Sequence, residues 1–182
     1  MRRFATATLL ALAVLSPAAL AALKPGAAAP MFSAPAYLAG KPFTYDLKAA
    51  LKQGPVVVYF FPAAFTSGCN VEAAAFSQAI DKFKAAGATV IGVTAGNTDR
   101  LAEFSKDTEK CAGKFPVAAD EGARIARQYD ATLTLKPGWS SRTSYVISPS
   151  GQVIHAYSDM KANDHVTETL TAVKAWRAKN PK

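Results

Sequence analysis

Residues 55–94 read PVVVYFFPAAFTSGCNVEAAAFSQAIDKFKAAGATVIGVT, and the hydrophobic pattern changes twice within this stretch. Residues 55–61 form a continuous apolar run, which is typical of a strand buried on both faces of a parallel sheet. Residues 70–86 carry apolar side chains at helical spacing and end at Gly87, a common helix terminator. Residues 88–94 form a second apolar strand. The stretch is therefore predicted to be a βαβ unit, with two parallel strands and a right-handed crossover.

The remainder of the chain is predicted to extend this unit into one domain. Residues 24–36 are rich in Pro, Gly and Ala, which indicates an extended lead-in. Helices are predicted over residues 98–110, 120–129 and 164–178. Residues 143–148 and 152–158 flank a Pro-Ser-Gly turn and are predicted to form a β-hairpin. This order favours an α/β fold with a thioredoxin-like mixed sheet, parallel strands first, a hairpin last and helices on both faces; another open α/β sheet is the alternative.

The first 21 residues are predicted to be a secretory signal peptide. Arg2 and Arg3 precede the apolar segment FATATLLALAVL, and Ala-Leu-Ala at residues 19–21 has the small-residue pattern of a cleavage site. The apolar segment is too short to span a bilayer comfortably, which disfavours a membrane anchor. Residues 22–182 are then predicted to be a single secreted or periplasmic domain, with no membrane association after cleavage.

Charge and cysteine content limit the classes of partner. The formal net charge is +8, and removal of Arg2 and Arg3 leaves 19 basic against 13 acidic residues, or +6. The lysines are scattered, so the excess charge is interpreted as a solubility feature and no nucleic-acid partner is predicted. After export, Cys69 and Cys111 would occupy an oxidising compartment, where disulfides persist.

Cys69 follows a predicted parallel strand and stands at or beside the N-terminus of the next helix. In open α/β sheets, the carboxyl ends of such strands border the ligand crevice. The thiolate is the reactive form of cysteine, and an ordinary free thiol is only about 3% ionised at pH 7. Lowering the pKa of a free thiol from about 8.5 to about 6 takes about 3.4 kcal/mol, whereas a helix N-terminus contributes at best about 2 kcal/mol. A reactive cysteine at this position therefore needs a second positive group.

Arg142 is predicted to supply that positive charge. It stands just before the predicted strand at 143–148. If this strand is antiparallel to residues 55–61, its start lies at the same sheet edge as Cys69. Arg100 also follows a strand that ends at this edge and is the alternative.

Thr66 and Pro62, which both precede Cys69 in the sequence, complete the predicted pocket. Thr66 has a hydroxyl that can donate a hydrogen bond to, or accept one from, a bound oxygen. Pro62 has a fixed φ and no N–H, so it can end the strand and shield the thiol from water. A thiolate, a hydroxyl and a guanidinium around one cavity suit attack on an O–O bond, because fixed donors stabilise the charge on the leaving oxygen.

The spacing Pro-x-x-x-Thr-x-x-Cys of Pro62, Thr66 and Cys69 resembles the active-site motif of the peroxiredoxins, in the alkyl hydroperoxide reductase/thiol-specific antioxidant family. FFPAAFTSGCNVEAAAF is most similar to the bacterioferritin-comigratory, or Q-type, branch, including Glu72. LKPGAAAPMF resembles the opening segment of the family, and FPVAAD resembles its central segment. RTSYVISPSGQVIHAYSD resembles the segment that carries the active-site arginine, here Arg142.

The resemblance implies a thiol-dependent peroxidase that reduces hydrogen peroxide or organic hydroperoxides. Cys69 would be the peroxidatic cysteine and would become a sulfenic acid, with Thr66, Pro62 and Arg142 completing the pocket. The resemblance implies no metal and no organic cofactor. It implies a thioredoxin-like protein or a small thiol as the reductant, and a monomer or weak dimer.

Cys111 is the candidate resolving cysteine, because the position where much of this branch carries one is Ala74. Other members of the branch carry a resolving cysteine on the next helix. A helix over 98–110 would be about 18 Å long and would place Cys111 at the sheet edge opposite Cys69, too far for a disulfide without helix movement. Three alternatives stay open: a Cys69–Cys111 link in each cycle, a one-cysteine cycle with an external thiol and a buried Cys111, or a static structural disulfide.

An exported thioredoxin-like thiol–disulfide oxidoreductase is the alternative function. That class usually carries Cys-x-x-Cys, whereas Thr66 and Glu72 occupy the positions three before and three after Cys69. It also needs a proline at the start of the hairpin strand, where this chain has Thr143. A non-catalytic binding module is a third hypothesis, which the combination of Pro, Thr, Cys and Arg disfavours.

The remaining polar and aromatic residues near these motifs have simpler interpretations. Glu72 suits the first turn of a helix, where a negative charge is favourable. His155 and His165 fit no metal-ligand pattern and are interpreted as structural. Trp139, three residues before Arg142, either borders the pocket or packs in the core.

Overall fold

The computed structural model describes residues 22–181, so the predicted signal peptide lies outside the described residues. The strands, in chain order, are β1 (Ser33–Leu38), β2 (Lys41–Asp46), β3 (Val56–Phe60), β4 (Thr89–Thr94), β5 (Val117–Ala119), β6 (Thr132–Leu133), β7 (Lys136–Ser140), β8 (Thr143–Ile147) and β9 (Val153–Ser158). The helices are α1 (Leu47–Leu51), α2 (Ser67–Ala85), α3 (Leu101–Lys106), α4 (Arg124–Gln128) and α5 (His165–Lys179). Seven strands form a mixed sheet in the order β2-β1-β5-β4-β3-β8-β9, and β6 pairs with β7 separately.

The predicted βαβ unit is confirmed as β3–α2–β4. All five residues of β3 are buried, as its continuous apolar sequence requires of a central strand. β3 and β4 pair in parallel, with Val56 opposite Thr89, and β5 continues the parallel part on the far side of β4. Helix α2 begins at Ser67, three residues earlier than predicted, so Cys69 lies in its first turn.

The predicted C-terminal hairpin is also confirmed. β8 runs antiparallel to β3, with Thr143 opposite Phe60, and β9 runs antiparallel to β8. The residue before Thr143 is therefore next to the carboxyl end of β3. This register brings Arg142 to the sheet edge from which the chain continues to Cys69.

Helices cover both faces of the sheet, as predicted. On one face, α2 and α5 pack over a cluster that includes Tyr59 and Phe76, whose rings stack with centroids 4.3 Å apart. On the other face, α1 and α4 cover a cluster that includes Phe60, Tyr129 and Tyr145. Alternate residues of β3 point into the two clusters, which explains why its sequence shows no polar face. No helix between residues 22 and 181 is both long enough and apolar enough to cross a bilayer.

The N-terminal part of the domain differs from the prediction. Residues 33–36, expected to belong to an extended lead-in, form most of β1, which pairs antiparallel with both β2 and β5. The parallel strands are therefore preceded by a hairpin rather than first in the chain. The sequence pattern of this hairpin is weak because the buried residues of β1, Ala34 and Ala36, are small. In addition, β1 and β2 each contain a proline.

The second predicted helix, over 98–110, is shorter than expected. A 3-10 turn at Thr98–Arg100 leads into α3, which ends at Lys106. Asp107 has φ −60° and ψ 121°, and its carboxylate accepts a hydrogen bond from the Glu109 N–H at 2.9 Å. This local bond competes with the helix and ends it. Cys111 consequently lies in a turn and not at a helix end.

The later helices lie close to their predicted positions. The segment predicted as a helix over 120–129 is a 3-10 turn followed by α4. The Asp120 carboxylate accepts hydrogen bonds from the N–H groups of Ile125 and Ala126, at 2.9 and 2.8 Å, so Asp120 caps this helix as expected. Helix α5 matches the predicted 164–178 within one residue at each end.

Candidate active site

The loop between β3 and α2 is anchored to the loop that follows β4. The Thr94 hydroxyl donates to the carbonyl oxygen of Pro62 at 3.1 Å, and the Ala64 N–H donates to the carbonyl oxygen of Gly96 at 3.3 Å. The Asn97 side-chain amide donates to the Ala64 carbonyl oxygen at 2.8 Å. Gly96 permits this approach, because a Cβ there would lie 2.4 Å from the Pro62 carbonyl oxygen. Pro62 is buried where the sequence placed it, at the end of the strand.

The start of α2 is shaped by two unusual residues. Phe65 has φ 63°, in the left-handed region that non-glycine residues rarely occupy. Thr66 is the N-cap residue, but its hydroxyl donates to the Ala63 carbonyl oxygen at 3.0 Å and does not cap the helix. The N–H groups of the first turn thus keep their capacity to bind an anion. Cys69 lies within that turn.

The guanidinium of Arg142 contacts the sulfur of Cys69. Nη2 of Arg142 donates to Sγ at a distance of 3.4 Å, and both side chains are buried. Arg142 is fixed from two further directions, because Nε donates to the Met160 carbonyl oxygen at 3.0 Å and Nη1 donates to Oε2 of Glu72. Gly68 leaves room for this arrangement, since a Cβ there would lie 3.0 Å from Nη2. The contact between Arg142 and Cys69 that the sequence predicted is therefore present.

Glu72 is part of the site, which the sequence interpretation missed. Its side chain is fully buried one helical turn after Cys69, and it forms an ion pair with Arg142. Burial raises the pKa of Glu72 to about 8, although Arg142 acts in the opposite direction. Burial lowers the pKa of Arg142, but Glu72 and Cys69 raise it by more, so the guanidinium stays charged. The sequence feature that could have indicated this role is the spacing of three residues, which places Glu72 and Cys69 on the same helix face.

His165 lies behind Glu72 and is fully buried. Its Nδ1 is 3.6 Å from Oε1 of Glu72 and 2.8 Å from the hydroxyl oxygen of Ser144. Its Nε2 is 2.9 Å from the carbonyl oxygen of Asp159. Burial lowers the pKa of His165. No local pattern linked this histidine to Cys69, because the contact depends on how α5 packs against α2 and β8.

Two other sequence candidates, Arg100 and Trp139, contact other residues. The Arg100 guanidinium stacks over the Phe65 ring at 3.8 Å and forms an exposed ion pair with Glu103 at 3.0 Å. Trp139 lies on β7, where Nζ of Lys136 is 3.1 Å from its ring centroid. Of the two arginines considered, Arg142 is therefore the one that contacts Cys69.

Cys69 and Cys111 are both buried free thiols, so the static disulfide is not present. They belong to the same apolar cluster, which also contains Tyr59. The turn that carries Cys111 packs against the middle of α2, where Nζ of Lys114 donates to the Ser77 carbonyl oxygen at 3.2 Å. Ser77 is eight residues beyond Cys69, or about 12 Å along the helix axis. Burial raises the pKa of Cys111 above its usual value.

The chain has a thioredoxin-like fold, with a buried cysteine in the first turn of a helix and an arginine in contact with its sulfur. Residues 25–156 match the model of the AhpC/TSA family, and the chain belongs to this family. The family resemblance inferred from the motifs is thereby confirmed.

Curated proteins similar to this chain include peroxiredoxins of the Q type. The chain is 34% identical over 125 residues to chloroplastic peroxiredoxin Q of Oryza sativa subsp. japonica, covering 68% of this chain and 56% of that protein. It is 33% identical to chloroplastic peroxiredoxin Q of Sedum lineare, covering 68% of this chain and 66% of that protein. The chain thus spans between about half and two thirds of the length of these relatives.

Solved structures that resemble the chain include proteins named as a peroxidoxin and as a peroxiredoxin. The crystal structure of peroxidoxin BcpB from Mycobacterium tuberculosis has a TM-score of 0.73 and 26% sequence identity, and covers 84% of this chain and 97% of its own. The reduced 2-Cys peroxiredoxin of Plasmodium vivax has a TM-score of 0.75 at 21% identity, and covers 86% of this chain and 98% of its own. The latter similarity supports the fold, which is thioredoxin-like as predicted.

Proposed function

We propose that this chain is a thiol-dependent peroxidase that reduces hydrogen peroxide or organic hydroperoxides at Cys69. The observation that carries the proposal is the 3.4 Å contact between Arg142 Nη2 and Cys69 Sγ, in the first turn of α2. A helix N-terminus and a buried guanidinium together stabilise a thiolate, which is the nucleophilic form. Membership of the AhpC/TSA family supports the same activity.

The proposed chemistry begins with attack of the Cys69 thiolate on the terminal oxygen of the peroxide. The S–O bond forms as the O–O bond breaks, and the leaving alkoxide or hydroxide takes up a proton. Arg142 and the free N–H groups of the helix stabilise the charge that develops on the oxygens. The Thr66 hydroxyl would bind the peroxide and Pro62 would exclude water. The product on the protein is a cysteine sulfenic acid.

A thiol must then return the sulfenic acid to the thiol form. We propose that an external thiol attacks the sulfenic sulfur of Cys69, releasing water and forming a mixed disulfide that a second thiol reduces. A thioredoxin-like protein or a small thiol would supply both. The burial of Cys111, which raises its pKa and so disfavours its thiolate, supports this one-cysteine cycle over a Cys69–Cys111 link. Mass spectrometry after one equivalent of peroxide distinguishes the one-cysteine cycle from the two-cysteine cycle, because only the two-cysteine cycle gives a Cys69–Cys111 disulfide.

We also propose that residues 1–21 are a signal peptide and that residues 22–182 form one exported domain, a monomer or weak dimer in the periplasm. Two arginines, an apolar segment and a small-residue site support this. The plant relatives are named as chloroplastic proteins, which places those proteins in an organelle. N-terminal sequencing of the protein recovered from a periplasmic fraction tests the proposal, which predicts Ala22 as the first residue.

The activity is tested by peroxide consumption with a thiol reductant in excess. Wild type is expected to consume peroxide, and Cys69→Ser is expected to lose this activity because a hydroxyl cannot replace the thiolate. The alternative, a thiol–disulfide oxidoreductase, predicts disulfide exchange with protein substrates and equal, low peroxide consumption in both proteins. The absence of a Cys-x-x-Cys pair from the sequence supports the peroxidase.

A further inference from the structure

We propose that Phe65 is a positioning residue for Cys69: two cations and a second aromatic ring contact its side chain and so hold the start of α2 in place. The inference rests on the proposed peroxidase function and deepens it, because it assigns a role at the same site to a residue without a polar side chain. Phe65 directly precedes Thr66, the N-cap residue of α2, and its side chain is half-buried.

The backbone of Phe65 has a conformation that this residue type rarely adopts. Its φ of 63° lies in the left-handed region, which a bulky side chain disfavours. Such a conformation persists only when the surrounding contacts hold it. On the N-terminal side, hydrogen bonds to Gly96 and Asn97 fix Ala64, and on the C-terminal side α2 begins. Phe65 is therefore the residue at which the chain turns from this fixed loop into the helix.

The side chain of Phe65 makes contacts that can hold this turn. The guanidinium carbon of Arg100 lies 3.8 Å from the centroid of the Phe65 ring, and Nζ of Lys110 lies 5.4 Å from it. The Phe104 ring packs edge-on against the same ring, with a centroid distance of 5.3 Å and an interplanar angle of 77°. A cation over an aromatic face and two rings at right angles are both attractive arrangements.

The two cations are themselves restrained. Arg100 forms an ion pair with Glu103 at 3.0 Å, and Lys110 forms one with Asp107 at 2.7 Å. Each positive group thus has a partner that limits its freedom, so less side-chain entropy is lost when it contacts the ring. The Phe65 ring therefore packs against a prearranged site and not against free surface side chains.

The turn at Phe65 determines how the first turn of α2 is presented to the sulfur. The Thr66 hydroxyl donates to the Ala63 carbonyl oxygen and leaves the helix N–H groups without a side-chain cap. These N–H groups stabilise an anion only while they point toward it. If the turn relaxes, they lose this orientation and the thiolate keeps only its contact with Arg142. Phe65 therefore acts through the backbone of α2.

The experiment compares the wild type with variants of the ring and of one cation. Phe65→Leu removes the aromatic face but stays apolar, whereas Phe65→Tyr keeps the ring. Arg100→Met removes the positive charge, which a lysine at this position would retain. The double variant Phe65→Leu/Arg100→Met completes a double-mutant cycle, which shows whether the two side chains act together. Lys136→Met is the matched control, because it removes a cation that lies 3.1 Å from the centroid of the Trp139 ring on β7.

Three quantities are measured for each protein. Stopped-flow kinetics give kcat/KM for hydrogen peroxide. Alkylation of Cys69 by iodoacetamide, followed by peptide mass spectrometry, gives the pH at which the rate reaches half of its plateau. Greater access to the sulfur would change the height of this plateau but not its midpoint, whereas weaker stabilisation of the thiolate moves the midpoint to higher pH. Urea titration gives the free energy of unfolding and shows whether the variant is folded.

Phe65→Leu should lower kcat/KM by about tenfold and move the alkylation midpoint to higher pH, because all the ring contacts are lost together. Arg100→Met should lower kcat/KM by about threefold, the smaller effect of a partly exposed cation on an aromatic face. The double variant should be no slower than Phe65→Leu, since the cation then has no ring to contact. Phe65→Tyr and Lys136→Met should stay within about twofold of the wild type.

The proposal is overturned if folded Phe65→Leu has the wild-type kcat/KM and alkylation midpoint, or if Phe65→Tyr is as slow as Phe65→Leu. It is also overturned if the effects of Phe65→Leu and Arg100→Met multiply in the double variant. If Phe65→Leu does not fold, a wild-type rate and midpoint for Arg100→Met overturn it. A wild type that consumes no peroxide contradicts the proposed function, and the alkylation midpoints then still decide the role of Phe65.

Discussion

At the scale of single residues, the site depends on the hydrogen bonds that Arg142 donates to two side chains, those of Cys69 and Glu72. Arg142 donates one nitrogen to the Cys69 sulfur and another to Glu72, while Nε donates to a backbone carbonyl. A planar guanidinium can make these contacts at once, whereas a lysine ammonium offers a single nitrogen on a flexible stem. The chemistry of the site therefore requires an arginine and not simply a positive charge.

Replacement of Arg142 by lysine tests this requirement. Arg142→Lys is expected to lower kcat/KM for peroxide by about a hundredfold, because the variant has no fixed donor to the reacting groups. Arg100→Lys is the control, since Arg100 stacks on Phe65 and pairs with Glu103 at the surface. Stopped-flow kinetics with peroxide give kcat/KM for both variants. A rate within twofold of wild type for Arg142→Lys would contradict the account.

At the scale of elements, the position of the sulfur depends on the start of α2 and on its neighbouring loops. Gly68 lies in the first turn, where glycine is a poor helix former, yet a Cβ at this position would lie 3.0 Å from Arg142 Nη2. Gly96 lies in the loop after β4 and has the backbone of Pro62 against it. Both glycines are explained by close approach and neither by a positive φ.

Gly68→Ala should separate stability from activity. Alanine is expected to add up to about 1 kcal/mol of helix propensity while its Cβ displaces the guanidinium from the sulfur. The free energy of unfolding from urea titration should stay equal or rise. The peroxide rate should fall by about tenfold, because the buried hydrogen bond from Arg142 to the sulfur is broken. An unchanged rate would show that the hydrogen bond from Arg142 tolerates the added methyl group.

Gly96→Ala should instead destabilise the protein where the loop after β4 packs against the loop after β3. The added Cβ would overlap backbone and not a flexible side chain, so the free energy of unfolding is expected to fall by more than about 2 kcal/mol. Gly138→Ala is the control, because a Cβ there meets nothing within 4 Å. Equal thermal midpoints for the two variants would be inconsistent with the packing described here.

The elements also show what a single sequence can predict. The βαβ unit and the C-terminal hairpin follow from long apolar runs and a clear turn, and they suffice to bring Arg142 to Cys69. The β1–β2 hairpin has small buried residues and prolines, so its pattern is weak. The pairing of Glu72 with His165 depends on the packing of α5, which periodicity does not fix.

At the scale of the whole molecule, the buried carboxyl couples the site to stability. The folded-state pKa of Glu72, about 8, lies above its ordinary value of 4.5, so the folded protein binds more protons between these values. Stability from this group is fully present below about pH 4.5 and is lost as the pH rises through 8. His165 has a lowered pKa and acts in the opposite sense, but only below its ordinary value of 6.5.

The free energy of unfolding of the reduced protein should therefore decrease between about pH 6.5 and pH 8, by at most about 1.4 kcal/mol per pH unit from Glu72. Glu72→Gln should remove that part of the slope, because the amide does not titrate. Chemical denaturation at several pH values measures it. A slope identical in wild type and variant would contradict the proton assigned to this buried group.

We propose that the Cys69 sulfur reacts with peroxide because Arg142 and the helix N-terminus stabilise its anion. The most direct measurement is mass spectrometry of the reduced mature protein after one equivalent of hydrogen peroxide, with dimedone present to trap sulfenic acid. We expect the dimedone adduct on Cys69 of the wild type, little adduct in Arg142→Lys and none in Cys69→Ser. An unmodified Cys69 in the wild type, or equal adduct formation in the Arg142→Lys variant, would contradict it.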